Sequence, residues 1–116
     1  MKPRMKKFMA LYMAPVAEFE RLMSMPPEQQ GADMEKWTQW MKKNERSFID
    51  AGAPLGKTKR ITTKGVSDVK NEIGGYSIVQ AESAADAAKL FEQSPHFTMA
   101  SNAWIEVIEC MPMPTM

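Results

Sequence analysis

The chain has 116 residues, of which 44% are hydrophobic and 25% are charged, and this length suits one domain with a single core. Its 15 Lys+Arg and 14 Asp+Glu give a formal net charge of +1, which excludes the strongly basic surface that drives binding to nucleic acid or anionic membranes. No segment approaches the length of a membrane-spanning helix, so we expect a soluble protein without a membrane partner.

The first predicted element is a strand over residues 7–13, "KFMALYM", which ends before Pro15. Its aromatic and aliphatic side chains occupy both alternating faces. Residues 16–25 carry apolar side chains at helical spacing and predict a short helical insert. Residues 1–4 form a basic N-terminal extension. A basic start before an apolar run is also typical of a secretory signal, but this run is short and contains Tyr12, so we favour the strand.

The strongest predicted helix covers residues 31–52, with Asp33 as its N-cap and Gly52 at its C-terminal exit. Five apolar residues recur at helical spacing within it and form one stripe. They are Met34, Trp37, Trp40, Met41 and Phe48. The pattern predicts a helix that buries this stripe against the sheet.

The middle of the chain predicts two further strands joined by a polar connection. A second, more polar strand is expected over residues 53–62, followed by a turn or long hairpin loop over 63–72. The third strand, "GGYSIVQA", covers 74–81.

The C-terminal part predicts a second main helix and a last strand. Residues 83–93 are rich in alanine and open with Ser83 and Asp86, the spacing of a capping box with Asp in place of Glu. The last strand covers 103–111, and a Pro- and Met-rich tail occupies 111–116.

The order strand, helix, strand, strand, helix, strand predicts an α+β domain of the ferredoxin-like βαββαβ class over residues 1–116. It has a four-stranded antiparallel sheet and two main helices. Two helices cover only one face of such a sheet, yet the first strand is apolar on both faces, and an apolar second face is a large exposed patch in a monomer. We therefore expect a homodimer in which two sheets face each other, a dimeric α+β barrel.

Several short motifs in this order resemble the YCII-related superfamily, in particular its DGPF-domain branch. They are the spacing W-x-x-W in the first helix, then "AGAPLG", "GGYSIVQAES", "SPHF" and "IEVIECMPM". The likeness covers residues 5–114, nearly the whole chain. The resemblance implies a bacterial, cytoplasmic, dimeric α+β barrel in a superfamily most of whose members have no established activity.

The chain departs from the residues proposed for catalysis in YCII proteins. Trp40 or Met41 falls near the place of the histidine in the first helix, and Ser94 stands where an aspartate follows the second helix. The turn that names the DGPF branch is replaced by residues 64–67, "KGVS". The resemblance therefore carries no catalytic dyad over to this chain.

His96 is the only histidine, and its ordinary pKa makes it the natural candidate for acid/base chemistry near pH 7. We expect it at the C-terminal end of a helix, where the helix dipole raises the pKa of the ring. The alternative is that the ring binds a free carbonyl at that helix end. A carboxylate that orients the ring would come from one of four residues: Asp50, Asp68, Glu106 or Glu109.

A ligand pocket with aromatic walls is the second predicted feature. Trp37 and Trp40 lie on one helical face, Tyr12 and Tyr76 lie on strands, and Ser67 lies in the polar connection. For the aromatic residues the alternative is packing in the core.

We predict a small cytoplasmic enzyme that uses His96 as general acid or base on a small, partly aromatic organic molecule. The alternative is a non-catalytic homodimeric module that binds a small ligand or regulates a partner. No metal or other cofactor is expected, because one histidine and one cysteine far apart match no zinc pattern. The single Cys110 forms no disulfide within the chain, which suits a reducing cytoplasm.

Overall fold

The computed structural model describes residues 5–113. The predicted N-terminal extension at 1–4 and the last residues of the predicted tail lie outside this range. The elements in chain order are β1 (Lys6–Met13), α1 (Val16–Met23), α2 (Pro27–Lys43), a 3-10 turn (Glu45–Ser47), β2 (Phe48–Pro54), β3 (Thr58–Thr62), β4 (Gly65–Val69), β5 (Ile73–Ala81), α3 (Ala84–Phe91), α4 (His96–Met99) and β6 (Trp104–Glu109).

The four strands β2, β5, β1 and β6 form one sheet in that order, and β3 and β4 form a separate two-stranded hairpin. All pairs of neighbours in the larger sheet are antiparallel. The predicted α+β class with a four-stranded antiparallel sheet is therefore confirmed, and the strand order is compatible with a ferredoxin-like fold. No helix within residues 5–113 is long and apolar enough to cross a membrane.

The core lies on one face of this sheet. On β1 the side chains of Phe8, Ala10 and Tyr12 are buried, and β5 places Val79 and Ser77 directly opposite the first two. This burial follows the period of two that strands impose. Further buried residues of the cluster come from the helices and the end of β5: Trp40, Ala81, Ala87 and Phe91.

The other face of the sheet is mainly apolar, as predicted, and its side chains are half-buried or exposed. We call it the open sheet face. Its polar members on β1, β5 and β6 are Lys7, Gln80 and Glu106. Its apolar residues alternate with the core residues on β1, β5 and β6: Met9, Leu11, Met13, Tyr76, Ile78, Trp104 and Ile108.

The predicted helix over 31–52 is wrong at both ends, since α2 covers Pro27–Lys43. Proline fits the first helical turn, where its missing N–H costs no hydrogen bond, so the helix begins earlier and Asp33 lies inside it rather than at its cap. The side chain of Asn44 donates to the Trp40 carbonyl, 2.8 Å away, and satisfies the helix end.

The second strand of the sheet is β2, which begins at Phe48, so Phe48 lies on a strand and not on the helical stripe. Gly52 belongs to an irregular part of β2 and has a φ of 82°. A Cβ at this position would collide with the Tyr76 carbonyl. Gly52 thus permits close approach of β2 to β5, and is not the exit of a helix.

The predicted strand over 53–62 is wrong, because these residues are divided between β2 and the separate strand β3. Only Ala53 and Pro54 of that predicted strand pair with β5, and residues 58–62 pair with 65–69 in the β3–β4 hairpin. The predicted connection therefore contains β4. The other strands and the helices α1 and α3 match their predictions to within a few residues, whereas α4 was not predicted. The Ser83 side chain accepts from the Asp86 N–H at 3.1 Å, as the capping pattern predicts.

Candidate functional site

His96 is buried, with 5% of its surface exposed, and it is the first residue of α4. Its Nε2 lies 2.8 Å from the Met13 carbonyl oxygen at the end of β1. A carbonyl only accepts, so Nε2 carries the proton and donates it. The backbone N–H of His96 also donates to the Ser94 hydroxyl at 3.2 Å. The ring therefore ties the segment after α3 to the end of β1.

The pKa of His96 is lowered from its ordinary value, chiefly because burial penalises the charged ring. Bonding to the carbonyls of Met13 and Trp104 acts in the opposite direction and is the smaller effect. The raised pKa expected from a helix C-terminus is thus wrong, because His96 begins α4 and is buried. The predicted bond to a free carbonyl at a helix end is corrected too, because the acceptor lies on a strand. The ring is neutral at pH 7, and its Nε2–H is bonded to the Met13 carbonyl.

Four of the predicted site residues lie together in the structure: His96, Tyr12, Trp37 and Trp40. The Tyr12 ring lies 4.9 Å from that of Trp37 and 5.6 Å from that of His96, between centroids. The Trp37 and Trp40 rings are 5.8 Å apart and nearly perpendicular. We call these four residues and Phe91, 6.0 Å from Tyr12, the aromatic cluster. Edge-to-face contacts of this kind are typical of packed cores.

The Tyr12 hydroxyl has a buried hydrogen-bond partner on β5, the Ser77 hydroxyl. It lies 2.8 Å from the Ser77 hydroxyl, which donates its own proton to the Ala51 carbonyl at 2.7 Å. Tyr12 is therefore the donor to Ser77. Burial raises the pKa of Tyr12 to about 12, so the phenol stays protonated. The sequence interpretation missed Ser77, although the alternation along β5 that buries Val79 also turns Ser77 inward.

The remaining polar groups of the cluster have partners as well. The Trp37 indole N–H lies 3.1 Å from the sulfur of Met99. Among residues 5–113, every buried side-chain nitrogen or oxygen has a hydrogen-bond partner. The aromatic cluster consequently presents no free polar group to a ligand, and its geometry is that of a structural core.

The two predicted carboxylates lie elsewhere, on exposed parts of the chain. Asp50 accepts from the Gly52 N–H at 2.8 Å and stabilises the irregular part of β2. Asp68 lies on β4 and forms an exposed ion pair with Lys59 at 2.5 Å. The described hydrogen bonds of the His96 side chain include neither carboxylate.

The last two predicted pocket residues and the other candidate carboxylates also lie away from His96. Ser67 is exposed on β4 and points to the opposite side of the hairpin from Asp68. Tyr76 lies on the open sheet face, across the sheet from Tyr12. Glu106 lies on that same face, where its carboxylate accepts from the Trp104 indole N–H at 3.0 Å, and Glu109 is exposed.

A shallow groove of about 390 Å³ lies between α3, α4 and β6, on the helical side of the sheet. We call it the α3–β6 groove. Its lining is Ala88, Phe91, Glu92, Phe97, Ile105 and Val107. His96 is not part of this lining. Within residues 5–113 no group of three or more His, Cys, Asp or Glu side chains is placed to hold a metal ion.

Comparison with protein-family models finds none that matches this chain. Comparison with curated proteins likewise finds no similar protein.

Proposed function

We propose that the chain is a non-catalytic homodimeric module in which the open sheet faces of two copies meet and hold a small organic ligand between them. The observation that carries the proposal is the apolar open sheet face, which has half-buried or exposed side chains on β1, β5 and β6. Patches of this kind on soluble domains are typical of interaction sites. A facing copy removes both patches from water, since a two-fold axis makes the surface self-complementary.

The dimensions of the chain support the proposal that it binds a second copy. The radius of gyration over Cα atoms is 16.1 Å, whereas a compact domain of this length has about 13 Å. The principal extents are 50 × 43 × 20 Å, so the molecule is thin in one direction. A second copy stacked along the thin direction gives a more compact assembly.

The environment of His96 supports a non-catalytic role. A general base needs a free lone pair within reach of substrate and usually an orienting acceptor. The bond from Nε2–H to the Met13 carbonyl leaves a lone pair on Nδ1. The ring is buried, however, and does not line the α3–β6 groove, so this lone pair is closed to a substrate. This arrangement favours the module over the enzyme that we predicted first.

The ligand site of this proposal is a cross-strand row on the open sheet face. Tyr76 pairs with Leu11, and Leu11 pairs with Glu106 on the other side. A phenol and a carboxylate thus flank an apolar centre, which is the composition of sites that orient small amphiphilic molecules. We propose a small, partly aromatic molecule with a hydrogen-bond donor as the ligand.

We also propose that the chain is a bacterial, cytoplasmic member of the YCII-related superfamily, forming its dimeric α+β barrel. The order of the resembling motifs and a strand order compatible with the ferredoxin-like fold support this assignment.

Sedimentation velocity of the wild type and two variants tests the dimer. Leu11→Glu places a charge at the centre of the open sheet face, and Gln39→Glu adds the same charge on an exposed position of α2. The proposal expects a dimeric wild type, a dimeric Gln39→Glu and a monomeric Leu11→Glu with unchanged circular dichroism. The reason is that the new carboxylate lies directly opposite Glu106, and two like charges are strongly unfavourable in an interface that excludes water. A monomeric wild type, or a Leu11→Glu dimer as stable as the control, overturns it.

A further inference from the structure

We infer that the β3–β4 hairpin is an arm that docks into the α3–β6 groove of a second copy of this chain. The inference rests on the homodimer proposed above and assigns the dimer a second contact, distinct from the open sheet face.

The hairpin has an apolar surface that its own chain leaves uncovered. Ile61 pairs with Val66, and both side chains point to the same side of the hairpin as the Lys59–Asp68 ion pair. Ile61 is 77% exposed and Val66 is 65% exposed. A two-stranded hairpin is only marginally stable alone in water. An ordered arm of this kind therefore needs a surface on which to pack.

The α3–β6 groove is an apolar surface of matching chemistry. Phe91, Ile105 and Val107 form its base, and Phe97 at its rim is 45% exposed. None of the residues that line it belongs to the hairpin. The groove also borders β6, an edge strand of the sheet, and edge strands are usually covered in stable assemblies.

The charges of the two surfaces are complementary. Three cations lie on or beside the docking side of the hairpin: Lys57 precedes β3, Lys59 lies beside Ile61 and pairs with Asp68, and Lys64 lies in the turn. The groove carries Glu92 in its lining, and Glu109 extends from the side of β6 that also bears Val107. Opposite charges around an apolar contact fix its register and disfavour other partners.

A second copy of the chain covers the apolar side of the hairpin and the groove at the same time. Arm and groove occur once in each chain, so a two-fold axis that brings one arm to one groove repeats the contact with the roles exchanged. The two contacts bury the Ile61–Val66 pair and the groove of both copies, and leave no open end that would extend into a fibre.

Cross-linking between two differently tagged chains tests the inference. Cys110 is first replaced by Ser in both, which leaves no native thiol. One chain carries Val66→Cys, and the other carries Phe97→Cys. The chains are mixed, allowed to exchange and treated with a short bismaleimide. The matched control replaces Val66→Cys by Arg60→Cys, which points to the opposite side of the hairpin.

We expect the mixed-tag product with Val66→Cys and much less of it with Arg60→Cys. No mixed-tag product, or equal amounts from both pairs, overturns the inference. Sedimentation velocity separates the two proposals. A wild-type dimer that does not form this cross-link contradicts only the docking of the arm, whereas a monomeric wild type contradicts both proposals. A second measurement uses the folded double variant Ile61→Ser with Val66→Ser. If the arm docks, this variant raises the dissociation constant of the dimer at least about tenfold. An unchanged constant contradicts the docking.

Discussion

Replacement of His96 by alanine lowers the stability of the fold, and the structure sets the size of the effect. The variant loses the bond from Nε2 to the Met13 carbonyl, 2.8 Å long, and leaves that carbonyl without its partner. Loss of one partner of a buried hydrogen bond costs about 1–3 kcal/mol. The ring contacts with Tyr12 and Trp37 add about 1 kcal/mol. We therefore expect a decrease of about 3 kcal/mol in the free energy of unfolding.

Urea unfolding followed by tryptophan fluorescence measures this change, since Trp37 lies beside the ring. The matched variant is His96→Gln, whose side-chain amide also donates and is expected to retain part of the stability. A loss below about 0.5 kcal/mol in His96→Ala, typical of surface substitutions, would refute the structural role of the ring.

The same residue makes stability depend on pH. The pKa of His96 is lower in the folded chain than in the unfolded chain, so the unfolded state binds its proton first as the pH falls. The contribution of His96 is therefore complete above about pH 6.5, the ordinary pKa, and is lost as the pH falls through the lowered folded value. Urea unfolding at a series of pH values is expected to show this loss in the wild type and not in His96→Gln. An equal pH slope in both proteins contradicts the assignment.

Three further substitutions test the account of the fold. Ser77→Ala leaves the buried Tyr12 hydroxyl without its acceptor, and urea unfolding is expected to show a loss of about 2 kcal/mol; unchanged stability would show that the bond is dispensable. Gly52→Ala collides with the Tyr76 carbonyl at a φ of 82°, so we expect a loss of more than about 2 kcal/mol in thermal unfolding, and a stable variant would contradict the geometry of β2. Asp68→Asn removes an exposed ion pair with Lys59 and is expected to change stability by less than about 1 kcal/mol, since such pairs contribute little.

The fold class was predictable because its main signals are local. The apolar pattern of β1 and β5 has the period of a strand, and the Ser83 cap marks the start of α3 wherever the helix packs. The boundary between α2 and β2 was not predictable from the same signals. Phe48 continues the helical stripe of Trp37 and Trp40 in spacing, but pairing with β5 places it on a strand. Tertiary pairing outweighed the local pattern there.

The aromatic part of the candidate site was predictable for a related reason. Tyr12 and Trp37 are inward residues of elements whose period was visible, so they meet in the core. The sequence could not show that Asp50 and Asp68 lie away from His96, because the position of each exposed carboxylate depends on the bulge of β2 or on the hairpin. The groove was not predictable either, because it depends on how the consecutive elements α3, α4 and β6 pack against one another.

The central claim is that two copies pair through their open sheet faces. Its most direct test is the molecular mass in solution of the wild type and of Leu11→Glu, measured by sedimentation velocity at the same concentrations. The account predicts twice the mass of one chain for the wild type and the mass of one folded chain for Leu11→Glu. A wild type that sediments as a single folded chain would contradict it.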